Sequence, residues 1–347
     1  MKKQKFLIRF CLLLSCTVIY SCSSVSYETI YPTLKDGKYD SEFPYKSASE
    51  ELTKLSEIIY RVSSTAFYRV YIFDDKDNFS LDDLKGKALS KVAKEEAMAD
   101  NSSAGSATIV YSQNGTVALL TCAHILTFPD TIIAYKADLR GNALNEIASI
   151  SIKEKQVNYV AGFPEGSIVE ILAIDEHSDI AIIGQKYGAQ KSMLFPSFKN
   201  NLGKAKELEW GTFVYILGYP LNYKMITKAI VSTPNRDAKG SFVVDAVVNP
   251  GFSGGLVIAI RDGIPNFEII GMIKSVPDEA EIYLTPKPAK DNSVYNGFVP
   301  YKDDIYVRKR ESIKYGIARV VPIEEIIEFV NANKISLNAK GYFVFQQ

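Results

Sequence analysis

A serine set among glycines is the first feature of this sequence that could do chemistry. The run Asn249-Pro250-Gly251-Phe252-Ser253-Gly254-Gly255 offers a hydroxyl on a tight turn, where glycine lets peptide N–H groups point into a pocket for a developing oxyanion. A serine used as a nucleophile needs a general base beside it, and the base needs a third group to orient it. The chain has two histidines, His124 and His177, and both precede Ser253. His124 closes Leu120-Thr121-Cys122-Ala123-His124, and His177 lies in Asp175-Glu176-His177-Ser178-Asp179-Ile180-Ala181. The same glycines fit Gly-x-Ser-x-Gly, the nucleophile elbow of α/β-hydrolases, but that fold requires a histidine after the serine. None follows Ser253, so that fold is excluded. His124, Asp179 and Ser253 offer a candidate base, acid and nucleophile in that chain order. Asp175 is the second candidate for the acid, and His177 reads as a solvated turn residue. Cys122 reads as a small buried hydrophobe.

The elements that must position these groups are mostly strands. Gln113-Asn114-Gly115 between two β-rich runs is a hairpin signal. Further β-rich runs cover 66–73, 131–137, 147–152, 167–174, 180–183, 212–217, 226–232, 241–248, 256–260, 267–273 and 315–321. Many short strands separated by turns indicate an all-β sandwich or barrel. Leu52, Leu55, Ile58, Ile59 and Val62 recur at helical spacing and predict an N-terminal helix from Ala48. Pro322 followed by Ile323, Ile326, Ile327 and Val330 predicts a C-terminal helix over 322–333. Residues 77–101 read as a polar surface excursion, helical in part through Leu81, Leu84, Ala88 and Val92. Residues 276–312 read as a long loop or insertion, with Arg308-Lys309-Arg310 as a solvated basic face.

Composition narrows the function classes. The chain has 347 residues, is 47% hydrophobic, and carries 40 basic against 40 acidic side chains. That supports a sizeable core and shows no electrostatic footprint for nucleic acid. Two histidines and four cysteines cannot furnish a zinc finger or a multi-histidine metal centre. A carboxylate-rich site stays open on these counts, and no metal or cofactor is expected.

The first residues read as a processed segment. Lys2, Lys3, Lys5 and Arg9 precede an apolar run from Phe10 to Tyr20, which is too short to span a bilayer and has the layout of a secretory signal. Its end, Tyr20-Ser21-Cys22-Ser23-Ser24, resembles a bacterial lipobox, although Tyr20 is bulkier than the usual residue there. The resemblance implies that residues 1–21 are removed and that Cys22 is lipidated, anchoring the protein to a lipid bilayer. The product would be an exported cell-envelope lipoprotein, facing the periplasm or the surface. Its net charge would be about −4, and Cys122 would be its one free thiol. Residues 22–46 read as a flexible tether, followed by one domain over 47–340.

From about Gly105 to Val330 the sequence resembles trypsin-like serine proteases, most closely their Deg, or high-temperature-requirement, branch. Thr121-Cys122-Ala123-His124 is similar to that branch's Thr-Ala-Ala-His or Thr-Asn-Ala-His. Asp175 to Ala181 is similar to its Asp-x-x-x-Asp-(Ile/Leu)-Ala, and Asp245 to Gly255 to its nucleophile block. Gly211 to Pro220, Ile270-Gly271-Met272 and Gly316 to Pro322 resemble its later segments. The resemblance implies two six-stranded antiparallel β-barrels of chymotrypsin-like fold, the first over about 64–190 and the second over about 205–321. The active site would lie in the crevice between them, and the substrate would be a polypeptide. His124, Asp179 and Ser253 would form the catalytic triad, with the N–H groups of Gly251 and Ser253 as the oxyanion hole. Val247 would floor the primary specificity pocket and favour small or medium apolar residues before the scissile bond. Met272, Ile273 and Lys274 would pair with substrate backbone. Phe252 departs from the Asp or Asn usual before the serine, a residue that helps order the loop. That departure keeps open a catalytically weak or inactive homologue acting as a lipid-anchored binding module. No PDZ domain is expected after the final helix.

Overall fold

The computed structural model describes residues 30, 32–138, 143–163, 168–187, 195–197, 201–275, 278–286, 305–313 and 316–346. The predicted signal segment and Cys22 lie outside these residues. The described chain is built from β1 (Ile59–Ile72), β2 (Glu95–Gln113), β3 (Thr116–Thr121), β4 (Thr131–Ala137), β5 (Ala143–Val160), β6 (Ile168–Asp175) and β7 (Ile180–Lys186). There follow β8 (Asn201–Leu202), β9 (Phe213–Gly218), β10 (Met225–Thr233), β11 (Phe242–Ala246), β12 (Leu256–Ile260) and β13 (Phe267–Ser275). The hairpin β14 (Asp278–Pro286) with β15 (Ile305–Ile313), then β16 (Gly316–Pro322), complete the strands.

Two closed barrels result. In the first, strands pair in the order β1-β2-β3-β7-β6-β5, and β5 returns to β1 to close a six-stranded ring, with β4 added on the outside of β5. In the second the order is β12-β9-β10-β11-β16-β13, closed by β13 on β12, with the short β8 added to β13. All pairings around both rings are antiparallel, and closure removes the exposed edges an open sheet would carry. The expected two-barrel, all-β architecture is therefore the observed one. Local chemistry drives it. β7 (Ile-Ala-Ile-Ile-Gly) and β12 (Leu-Val-Ile-Ala-Ile) are buried on both faces and read as continuous apolar runs. The β2–β3 turn places Asn114 and Gly115 both at positive φ, as a two-residue hairpin turn matched to strand twist requires. One apolar core runs through both barrels.

Four expectations meet a different structure. The N-terminal helix α1 spans only Ser49–Ser56, and Ile58, Ile59 and Val62 are buried in or beside β1 instead. Their β-branched side chains suit a pleated barrel wall better than a helix. In the polar excursion, Ser80 and Asp83 form a capping box on the single-turn helix α2 (Leu81–Leu84), and α3 (Leu89–Val92) is equally short. The excursion ends where β2 begins at Glu95, well before Asn101. The segment expected as a long loop at 276–312 contains the β14–β15 hairpin, with Glu281 in register opposite Arg310; residues 287–304 lie outside the described ones. Finally, the tether expected to reach residue 46 is packed on the second barrel from Leu34 onward. Tyr39 bridges to Arg261, the Tyr39 hydroxyl donates to Glu268 at 2.7 Å, and Leu34, Tyr39 and Asp40 are all buried.

The chain closes with α4 (Ile323–Ala332), which buries Ile323, Ile326, Phe329 and Val330 against the second barrel, and with α5 (Lys334–Ala339).

Candidate active site

His124 stands just beyond the end of β3, in a single 3₁₀ turn over Ala123–Ile125. Its flanking residues Ala123 and Ile125 are buried, whereas its own side chain remains 45% exposed. Asp179 ends the β6–β7 turn at φ +63, a conformation unusual for a residue with a Cβ and held here by its surroundings. The turn is shaped by Asp175, whose carboxylate accepts from the His177 N–H at 3.0 Å and the Ser178 hydroxyl at 2.6 Å. That hydroxyl, with the nearby N–H groups, holds the Asp175 carboxyl below its usual range. Asp175 is thus a turn-forming residue bonded away from His124, and His177 is exposed.

Asp179 is buried, and its carboxylate meets both the backbone and the ring of His124, with Oδ1 also 3.0 Å from Nδ1. Oδ1 accepts from the His124 backbone N–H at 2.8 Å, and Oδ2 lies 2.9 Å from Nδ1. The first bond positions the loop and the second orients the ring. A carboxylate at Nδ1 selects the tautomer with a proton there and leaves Nε2 as the free basic nitrogen.

The loop 249–255 is held by a set of backbone bonds that leave the N–H groups of Gly251 and Ser253, along with that of Asn249, without an acceptor among the described residues. The Pro250 carbonyl accepts from Leu221 N–H at 3.0 Å, and the Phe252 carbonyl from Gly255 N–H at 2.7 Å. In a trans peptide the N–H points opposite to its carbonyl, so the N–H groups of Gly251 and Ser253 are turned away from those partners. Neither donates to any acceptor among the described residues. Glycine is required here for close approach. Gly251 sits at φ +105 with the Tyr219 carbonyl against its Cα, and Gly254 sits at φ +82 against the Ser106 carbonyl. The Phe252 side chain is 1% exposed and packs on Gly218 at the end of β9. Among the described residues no hydrogen bond joins Ser253 Oγ to His124 Nε2. Such bonds are often long in an unliganded site.

The remaining predicted site residues fall as follows. Met272 and Ile273 are buried in β13, and β13 is already paired on both sides there. Met272 lies between Leu256 and Val321, and Ile273 exchanges bonds with Gly254 and Gly255 at 2.8 and 2.9 Å. Their backbone is therefore committed within the barrel, and of the three only Lys274 is partly exposed. Val247 follows β11 with its side chain 67% exposed, not enclosed beneath a pocket. Cys122 is fully buried, and its thiol donates to the Ile273 carbonyl at 3.2 Å. Cys122, His124 and Asp179 bring their ligand atoms within 4.8 Å of one another. Burial, with the Asp179 charge beside it, pushes the thiol well above its ordinary pKa. His124 Nδ1 is engaged by the Asp179 carboxylate, so the three residues form a histidine–carboxylate pair beside a buried thiol.

Sequence reasoning missed Ser106 and the bond-forming role of Thr121. Ser106 N–H donates to the Ser253 carbonyl at 2.7 Å, and Thr121 Oγ1 donates to the Ser106 carbonyl at 2.7 Å. Ser106 joins the first barrel to the serine loop of the second, a long-range relation that no local pattern carries, and Thr121 braces Ser106 from the adjacent strand of the first barrel.

Residues 105–265 match the family model described as a trypsin-like peptidase domain. No curated protein matches the sequence. Among solved structures, the chain is similar to the serine endoprotease from Yersinia pestis, at 16% identity, over 84% of this chain and 68% of that one, with a TM-score of 0.40. It is also similar to Deg5, at 16% identity, over 67% of this chain and 88% of that one, with a TM-score of 0.34. The two barrels, together with the peptidase-domain match, define a trypsin-like serine protease fold.

Proposed function

We propose that this chain is a serine endopeptidase that hydrolyses peptide bonds through an acyl-enzyme. The observation that carries the reading is the pairing of His124 with buried Asp179 in the same molecule that leaves the Gly251 and Ser253 N–H groups unpaired. In this mechanism Ser253 Oγ attacks the substrate carbonyl while His124 Nε2 takes its proton. Asp179 stabilises the imidazolium through Nδ1–H. The two free N–H groups bind the oxygen that becomes negative, and each such donor is worth about 3 kcal/mol in the transition state. His124 then gives its proton to the leaving amine, and a water repeats the sequence to release the acid.

Substrate preference belongs to the same proposal. Val247 is 67% exposed and floors no pocket, so the preference for small or medium apolar residues before the scissile bond rests on the family resemblance alone. Backbone pairing with substrate starts at Lys274, since the strand before it is already bonded. Anchoring through lipidated Cys22 in the cell envelope remains part of the proposal and rests on the resemblance of residues 20–24 to a lipobox.

The competing reading, an inactive binding module, drew on Phe252 as a missing loop-ordering residue. Phe252 instead packs in the core, which supports an ordered loop by other means. Labelling with a fluorophosphonate probe tests the proposal. Wild type should label at Ser253, and Ser253→Ala and His124→Ala should not. Absence of labelling in wild type, or equal labelling of Ser253→Ala, would remove the enzyme reading.

A further inference from the structure

Ser106 is a buried serine on β2 of the first barrel, with a hydroxyl that makes two bonds into the second. Its Oγ–H donates to the Gly251 carbonyl at 2.7 Å, and the same oxygen accepts from the Tyr219 N–H at 2.8 Å. Its backbone N–H donates to the Ser253 carbonyl at 2.7 Å. Ser106 therefore grips the carbonyls of the two residues whose N–H groups are left free. Between those N–H groups lies the Gly251–Phe252 peptide. Its plane is fixed at one end by the Ser106 hydroxyl and at the other by Phe252 N–H on the Asn249 carbonyl at 3.2 Å. Rotation of that peptide would turn the flanking donors out of alignment. A Cβ on Gly218 would strike both Ser106 Oγ and the Phe252 ring. The absence of a side chain at the end of β9 is what lets hydroxyl, ring and loop meet.

We infer that the Ser106 hydroxyl is the positioning group that holds the oxyanion-binding loop in its donating conformation, replacing the acidic or amide residue whose place Phe252 occupies. The inference rests on the serine-protease reading for its catalytic consequence, but the structural claim stands apart from it. Ser106 touches neither substrate nor the reacting atoms. It acts through the orientation of the Gly251 and Ser253 N–H groups, where misplacement by about 1 Å costs on the order of a hundredfold in rate.

The test uses Ser106→Ala in the full chain, with Ser64→Ala as the control. Ser64 is likewise a fully buried serine of the first barrel, and its hydroxyl donates to Asn158 at 2.6 Å, within that barrel. Two readouts are taken, peptide turnover and amide hydrogen exchange. Ser106→Ala should lower kcat by about ten- to a hundredfold with KM little changed, while Ser64→Ala should keep kcat. Independently of activity, Ser106→Ala should speed exchange of the Tyr219 and Phe252 amides at least about tenfold, and Ser64→Ala should not. Unchanged exchange at both amides, or an equal kcat loss in the two variants, overturns the inference. If wild type itself proves inactive, the protease reading fails, and exchange at Tyr219 and Phe252 still decides whether Ser106 holds the loop.

Discussion

The two halves of the candidate site are built by opposite means. In the first barrel the functional groups are side chains, and residues of the same barrel hold them. His124 and Asp179 fix each other through the His124 backbone and ring, and Asp175 shapes the turn that presents Asp179. In the second barrel the functional groups include backbone N–H donors, and part of what holds them comes from the other barrel. Ser106 bonds two loop carbonyls there, and its own carbonyl is bonded by Thr121. The first arrangement is robust to how the barrels sit together. The second draws some of its bonds from the other barrel, so its geometry depends in part on how the two barrels are docked.

Variants can break that comparison in order of effect. His124→Ala removes the base and should lower kcat by about 10⁶-fold, measured against Ser253→Ala, with no further loss in the double variant. Asp179→Asn keeps the shape but permits the wrong tautomer, and kcat should fall by about 10⁴-fold. Gly254→Ala should act on the second half alone. Its Cβ would meet the Ser106 carbonyl at a backbone φ of +82, so rate should fall by about 10²–10³ while the spectroscopic signature of the His124–Asp179 pair persists. A nuclear magnetic resonance signal for the Nδ1 proton distinguishes these cases, since it should vanish in Asp179→Asn and remain in Gly254→Ala.

A smaller effect sharpens the contrast with a region outside the site. Asp40, in the N-terminal segment packed on the second barrel, has a carboxyl pushed up to about 6 by burial, offset in part by the Gly263 N–H and reinforced by Glu42, Asp262 and Asp36. A carboxyl with a raised folded-state pKa binds protons more tightly when folded, so its contribution favours the fold at low pH. That contribution is lost as pH rises from about 4 to about 6. Asp40→Asn should therefore raise stability at pH 7 by about 1–2 kcal/mol and flatten the pH dependence in that window, read by thermal unfolding. Turnover at a fixed pH should stay the same.

Local patterns in the sequence carried the strands, the Asn114-Gly115 turn and the His–Asp–Ser order. A turn or a glycine-flanked serine is set by neighbours a few residues apart. Where residues had two uses, the fold decided. Ile58, Ile59 and Val62 fit a helical stripe by spacing, yet pairing of β1 with both β2 and β5 drew them into the barrel wall. The residues from Leu34 to Asp40 show no periodicity, and the burial of Tyr39 among them depends on Arg261 and Glu268, over 200 positions away. Ser106 was illegible for the same reason. Its neighbours mark it only as the start of a strand, and its partners Gly251 and Ser253 are about 145 residues distant. Met272 and Ile273 show the converse, since β13 supplied the expected strand but used their backbone inside the barrel.

The most direct test of the central claim is digestion of an unfolded polypeptide, with every new terminus identified by mass spectrometry. Cleavage at internal sites after apolar residues, present in wild type and lost in Ser253→Ala, is the predicted result. An intact polypeptide after exposure to wild type, or the same fragments from Ser253→Ala, would contradict the account.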